Sequence, residues 1–223
     1  MIATQPPKIV KPVIGFSDIT GVHMLINSKW NWPSIHGVLA EFNKEIDIIT
    51  QSTINKDTSI QSVIDLLTDK NTTLAYKIEP LNSRAQDEDT IATRLIGGNL
   101  TLVSTSLSAP YKPTKEPRTL ILEDVGVTPH QLERFLDQIA YSETFAYYDA
   151  IILGTFVHST AGDSAKTKTA IERVLKDFAQ KCIVPVFRFD QFGHGPVNEP
   201  MPMNTETLIV REPGNITLYI KNR

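Results

Sequence analysis

The chain has 223 residues, 41% hydrophobic and 21% charged, with 22 basic against 25 acidic side chains and a formal net charge of −3. This is the composition of a globular protein with room for one or two cores, and its mild acidity argues against nucleic acid or an anionic membrane surface as the main partner. The single cysteine, Cys182, rules out an internal disulfide framework and fits a reducing compartment.

No stretch approaches the run of about eighteen apolar residues that a membrane span needs. The start, Met1-Ile2-Ala3-Thr4-Gln5-Pro6-Pro7, lacks the basic residues and apolar core of a secretory signal, so a cytoplasmic location is expected. Ile9, Val10, Val13 and Ile14 form a short apolar run, read as a buried strand that Pro12 places at an edge or a strand start. Gly15-Phe16-Ser17-Asp18 leads from it into helical spacing, with Ile19, Val22 and Ile26 on one face. Two readings of Ser17 stand side by side. It is an ordinary N-cap, or it is a nucleophile on a strand-to-helix elbow, where helix N-terminal amides favour the negative charge that an attacked carbonyl develops. Ile19 stands where a Gly-x-Ser-x-Gly elbow would have its second glycine.

A turn-rich loop around Trp30, Trp32 and His36 follows. Asp57 then heads an amphipathic helix with Ile60, Val63, Ile64 and Leu67 at i, i+3, i+4 and i+7. Leu74 to Ile78 alternates as a strand does, and the polar stretch 82–91, from Asn82 onward, reads as a linker between domains 1–81 and 92–223. The second part opens with a strand over 92–99 that ends in Gly97-Gly98-Asn99, then a helix through Leu100, Val103 and Leu107 stopped by Pro110. A strand over 119–125 ends in Glu123-Asp124. Thr128-Pro129-His130-Gln131 supplies a capping box and a proline at the first helical position, and Leu132, Phe135, Leu136 and Ile139 give that helix its buried face. Strands over 150–156 and 182–189 flank a helix marked by Ile171, Val174, Leu175 and Phe178, and two strands around Pro213-Gly214-Asn215 form a closing hairpin. Strands alternating with helices up to that hairpin define an α/β protein with a mixed sheet.

Three residues at loop edges could cooperate chemically: Ser17, Glu123 and His194, the last between two glycines. Serine needs a base to accept its proton, histidine has the appropriate pKa, and a carboxylate fixes the histidine tautomer. Side chains alternate along a strand, so one of Glu123 and Asp124 faces such a site. Plainer roles are available to each: a solvated strand end for the carboxylates, and a packed turn for His194. The remaining histidines, His23, His36, His130 and His158, form no His-x-x-x-His pair and no cluster with Cys182, which opens an apolar run as a buried thiol would; no metal site is expected. Gly97-Gly98-Asn99 lacks the Walker lysine and the third Rossmann glycine. Asp65 and Asp69 share a helix face and read as solvated surface.

Five motifs in fixed order make the pattern specific: Gly15-Phe16-Ser17-Asp18-Ile19-Thr20, Ile35-His36-Gly37, Gly97-Gly98-Asn99-Leu100, Leu122-Glu123-Asp124-Val125-Gly126, and Phe192-Gly193-His194-Gly195-Pro196-x-Asn198. From Pro12 onward the chain resembles the LD-carboxypeptidase family of serine peptidases, which includes the microcin-immunity peptidases. The resemblance implies Ser17 as nucleophile, Glu123 as orienting acid, His194 as general base, the Asp18 N–H as an oxyanion donor, and Gly98 and Asn99 beside the substrate. It implies a cytosolic, metal-independent enzyme without cofactor, commonly a homodimer. Such an enzyme releases a terminal D-amino acid, typically D-alanine, from the tetrapeptide of recycled muropeptides. It further implies an N-terminal Rossmann-like α/β domain carrying the serine and a C-terminal mixed α/β domain carrying acid and histidine.

The family pattern has a segment before the serine strand, with an Arg-Gly-Gly-Tyr-Gly loop, whereas sixteen residues precede Ser17 here. By that comparison the N-terminal domain is incomplete and a separate N-terminal half is a possible partner. Val127 stands in place of a common glutamate and Asn204 in place of a common glycine. Two other functions fit the same residues: an impaired fragment that binds peptide or a partner chain without turnover, and a peptidase that detoxifies a peptidyl-nucleotide antibiotic.

Overall fold

The computed structural model describes residues 5–38, 56–68, 70, 72–87, 89–109, 116–159 and 162–222. In chain order the elements are β1 (Ile14–Gly15), a 3₁₀ turn (Ser17–Ile19), α1 (Thr20–Lys29), β2 (Ser34–His36), α2 (Lys56–Leu67), β3 (Thr73–Pro80), α3 (Ser83–Asp87), β4 (Thr90–Thr93), β5 (Leu95–Asn99), α4 (Leu100–Ser106), β6 (Arg118–Val125), α5 (Pro129–Ala140), a second 3₁₀ turn (Glu143–Tyr147), β7 (Tyr148–Val157), α6 (Ala165–Lys181), β8 (Val186–Arg188), β9 (Met201–Met203), β10 (Thr207–Glu212) and β11 (Asn215–Lys221). The class is mixed α/β.

Two sheets organise these elements. The larger has eight strands in the order β4-β10-β11-β3-β8-β7-β6-β5, and the smaller has three, β1-β2-β9. Strands β5 to β8 run parallel, joined through α4, α5 and α6, while β3, β4, β10 and β11 pair antiparallel. The parallel strands are covered on both faces, which is why β6 is buried at seven consecutive positions, Arg118 to Asp124, and reads as a continuous run. One core packs Leu120, Leu122, Ile151 and Leu153 against Leu132, Leu136, Leu175 and Phe178 of α5 and α6. A second, on the opposite face, joins Ile121, Ile152 and Phe187 to Ile209, Leu218 and Ile220, and to Met201 and Met203 of the small sheet.

The local signals explain the helices well. Thr128 caps α5 with the full reciprocal capping box, proline follows at the helix start, and Leu132, Leu136 and Ile139 are buried. Ser164 caps α6 by accepting from the Thr167 N–H. The closing hairpin pairs Glu212 with Asn215 around Pro213-Gly214, where Gly214 has φ +88°.

Several expectations need correction. Residues 82–91 are not a linker: Ser83 to Asp87 are helical and Thr90 opens β4. The polar side chains that mimic a linker bind backbone instead. Asn82 Nδ2 donates to Ala179 O and Val184 O, and its Oδ1 accepts from Ala85 N and Val186 N. Nor does residue 81 separate the sheets, because β3 lies inside the large sheet between β11 and β8, and β9 of the small sheet comes from the C-terminal part. The single strand expected over 92–99 is two strands at opposite ends of the sheet order, broken at Arg94. Of 182–189 only Val186 to Arg188 are strand, since Cys182 caps α6. Helix α1 buries Thr20, His23, Met24, Ile26, Asn27 and Ser28 and leaves Val22 exposed, so its buried face is largely polar. Helix α4 ends at Ser106; Pro110, Asp69 and the side chain of Asp57 lie outside the described residues.

Candidate active site

The elbow is built by β1, the 3₁₀ turn and α1. Ser17 has φ +57°, in the left-handed region that non-glycine residues seldom adopt, and its turn has no side-chain cap. The N-cap reading therefore does not hold; Ser17 is half-buried at a strained strand-to-helix turn. Gly15 explains how Ile19 is tolerated in place of a second glycine. A Cβ built on Gly15 would lie 2.7 Å from Ile19 Cγ1, so the strand side supplies the clearance that the helix side lacks. The Gly15 carbonyl accepts from Gly37 N at 3.0 Å and from His23 Nε2 at 2.9 Å, pinning the turn from β2 and from α1.

Glu123 and His194 meet at the C-terminal ends of the parallel strands, where α/β sheets gather their ligands. His194 Nδ1 lies 2.6 Å from Glu123 Oε2, with the Glu123 side chain fully buried and His194 only 5% exposed. An ionised carboxylate only accepts, so Nδ1 carries the proton and Nε2 is the basic nitrogen of the neutral ring. Burial by itself would lower the His194 pKa. The charge and hydrogen bond of Glu123, helped by the charge of Asp124, outweigh it and hold the imidazolium above its ordinary 6.5. The Phe16 ring, one residue before Ser17, packs 5.0 Å from the His194 ring, which brings the elbow and the histidine loop together.

Asp124 turns the other way and serves structure. Its Oδ1 accepts from Asn99 Nδ2 and Val125 N, and its Oδ2 from Thr101 N and Oγ1. Asn99 caps α4 by accepting from Leu102 N, and its own N–H donates to Thr20 Oγ1 at 2.9 Å. Gly98 lets α1 come close: a Cβ there would stand 2.5 Å from Thr20 Oγ1. Gly98 and Asn99 thus lie beside the elbow, with the Asn99 side chain engaged in capping. Asp18 is exposed in the first turn after Ser17.

The sequence reading did not anticipate a layer of buried neutral histidines beneath the site. His36 is wholly buried, with its ring 4.2 Å from Phe192 and 6.2 Å from both Phe16 and His23, and among the described residues neither ring nitrogen has a hydrogen-bond partner. Burial, reinforced by the nearby His23 and His194, pushes its pKa well down; burial also lowers that of His23. His130 lies in the first turn of α5, and His158 follows β7, where its N–H is held by Asp163. Cys182 is half-buried and burial raises its pKa, as for a structural thiol. Among the described residues no group of three or more His, Cys, Asp or Glu is placed to hold a metal ion, and no helix is long and apolar enough to cross a membrane.

Through Phe16 the strand-to-helix elbow that carries the left-handed Ser17 lies next to a histidine held by a buried carboxylate. Residues 92–209, more than half of the chain, match the LD-carboxypeptidase C-terminal domain, and the chain belongs to the LD-carboxypeptidase family. A Rickettsia conorii protein bearing a carboxypeptidase name is 31% identical over 216 residues, covering 95% of this chain and 62% of the relative. The murein tetrapeptide carboxypeptidase of Pseudomonas aeruginosa is 29% identical over 197 residues, covering 86% and 60%. The crystal structure of muramoyltetrapeptide carboxypeptidase from Oxalobacter formigenes shares the fold, with a TM-score of 0.70 at 19% identity over 93% of this chain and 68% of that one. The chain spans about three-fifths of the length of the curated relatives it matches.

Proposed function

We propose that the chain carries the catalytic machinery of a serine LD-carboxypeptidase that removes the terminal D-amino acid, D-alanine, from cytosolic muropeptide tetrapeptides during peptidoglycan recycling. The observation that carries this reading is the 2.6 Å bond between His194 Nδ1 and the buried Glu123, formed beside the ring of Phe16, the residue before the left-handed Ser17. Ser17 Oγ attacks the carbonyl carbon of the L-centre as His194 Nε2 takes its proton. The oxyanion is met by the Asp18 N–H at the helix start. Collapse breaks the C–N bond, His194 gives the proton to the leaving amine, and the free D-amino acid departs from an acyl-serine. Water, deprotonated by His194, then hydrolyses the ester and returns Ser17 to its starting state. Glu123 holds the ring and stabilises the imidazolium throughout.

The test is D-alanine release from an LD-tetrapeptide by the wild type, Ser17→Ala and His194→Ala, alongside labelling with a fluorophosphonate. Release and labelling by the wild type alone support the proposal. Equal release from all three removes Ser17 and His194 from the mechanism, and a folded wild type that neither labels nor cleaves is a binding module. A peptidyl-nucleotide substrate assayed in parallel separates muropeptide cleavage from antibiotic detoxification.

A further inference from the structure

We infer that Asn198 is a positioning residue for His194: its side-chain carbonyl, by accepting the Gly193 N–H, fixes the left-handed glycine that carries the imidazole onto Glu123. The inference rests on the triad reading above, and it concerns how an irregular loop holds a base in one place.

The loop after β8 contains no helix or strand between Arg188 and Met201. It is tied at its base, where Glu199 N donates to Gln191 O at 2.8 Å, and to β7, where Thr155 N donates to Phe192 O at 2.9 Å. Within those ties lies Gly193, at φ +107°. Glycine is the residue least able to hold its own conformation. No side chain can help it, since a Cβ there would stand 2.5 Å from Glu123 Cβ. Asn198 Oδ1 supplies the missing restraint, accepting from Gly193 N at 3.0 Å in a buried setting. Asn198 is itself anchored, because its own N–H donates to Ser59 Oγ, 3.2 Å away on α2, and both residues are fully buried. Among the described residues Asn198 Nδ2 has no hydrogen-bond partner, so the polar contact of this side chain is the one its carbonyl makes. This bridge restrains the Gly193 backbone between Ser59 of α2, which anchors Asn198, and Glu123 of β6.

The titratable groups acting on His194 are Glu123 and Asp124 from β6 and His36 from β2, none of which is altered by changing Asn198. Two measurements on the full chain therefore report the positioning role: the His194 titration midpoint by NMR, which needs no activity, and the rate of Ser17-dependent fluorophosphonate labelling against pH. Asn198→Ala is expected to lower the midpoint toward 6.5, as the Glu123 contact loosens, and to slow labelling by about a hundredfold at its maximum. Asn198→Asp, whose carboxyl oxygen accepts the same N–H, is expected to restore a midpoint at or above that of the wild type. Asn82→Ala is the control. It removes an asparagine that binds four backbone groups far from the site, and should lower Tm while leaving the midpoint in place. If Asn198→Ala does not fold, Ser59→Ala, which loosens the same anchor, must shift the midpoint in the same direction. An unchanged midpoint in Asn198→Ala, or in Ser59→Ala where the first variant fails, overturns the inference, as does an equal shift in Asn82→Ala. A wild type that resists labelling while its His194 midpoint still responds to Asn198→Ala would instead count against the triad reading and leave the positioning role standing.

Discussion

Gly193 and Glu123 are in contact through a space that holds no further atom: a Cβ on Gly193 would lie 2.5 Å from Glu123 Cβ and 2.7 Å from Oε2. The carboxylate that holds the candidate base is therefore packed directly under the backbone that delivers it. Gly193→Ala has to move one or the other, and its φ of +107° adds strain. A loss of about 2–5 kcal/mol in stability is expected from overpacking and backbone strain together. Chemical denaturation measures it, and Ser17 labelling should be lost in the fraction that remains folded.

The raised pKa of His194 gives the reaction a defined acid limb. The base must be neutral to accept a proton, so the labelling rate should fall as pH drops through a midpoint above 6.5. In Glu123→Gln the stabilising charge is gone and burial dominates, so the midpoint should move below 6.5 while the maximal rate drops by about 10²–10⁴-fold. A pH–rate profile of both proteins reads the two effects separately.

His23 and His36 act oppositely on stability. Their folded pKa values are depressed, by burial first, below the 6.5 of the unfolded chain. The unfolded state therefore takes up protons that the folded state refuses, and stability present above pH 6.5 is lost as pH falls below it. The slope approaches about 1.4 kcal/mol per pH unit for each histidine until the folded pKa is reached. His36→Phe keeps a ring against Phe192 and cannot protonate. Denaturation midpoints at pH 7 and pH 5 should differ less in this variant than in the wild type.

Asn204 sits at φ +60°, which is why a glycine suits that place, and asparagine is among the few other residues that tolerate it. What the asparagine adds is a buried junction. Its Oδ1 accepts from Arg118 Nη1 at 2.6 Å, its Nδ2 donates to Asn31 Oδ1, and its carbonyl accepts from Arg94 Nη1. Asn204→Gly should preserve the turn yet cost about 1.5–3 kcal/mol through the lost partner of a buried guanidinium, and Asn204→Ala about 1 kcal/mol more through left-handed strain. Thermal denaturation of the two variants tests that order.

Much of this was legible in the chain. Thr128-Pro129 with Gln131, the apolar run of β6 and the turn at Pro213-Gly214 each carry a local cause that no tertiary contact reverses. Ser17 was ambiguous because a cap and a nucleophile share a residue type, and its backbone angle removes the cap reading alone. The face of α1 was misread for a different reason: Thr20, His23 and Asn27 turn inward to bind backbone groups of Asn99, Gly15 and Trp32, so polarity there marks burial. The supposed linker failed likewise, since Asn82 spends its amide on the ends of α6 and β8 and on α3. Asn198 stood inside a recognised motif, but its role depends on the conformation of Gly193, five residues earlier, which composition does not encode.

One residue, Arg94, separates β4 from β5, although these strands are the two ends of the eight-strand order. Thr119 N extends the β5–β6 pairing by donating to Arg94 O, and Thr119 Oγ1 donates to Thr93 Oγ1 at the end of β4, so the two margins come close where the chain passes from one to the other. The β10–β11 hairpin stands between β4 and β3 in that order. During synthesis the candidate residues Ser17, Glu123 and His194 all leave the ribosome before that hairpin. Until β10 is made, β4 has no partner in the large sheet, so the growing chain carries all three side chains before that sheet is fully paired.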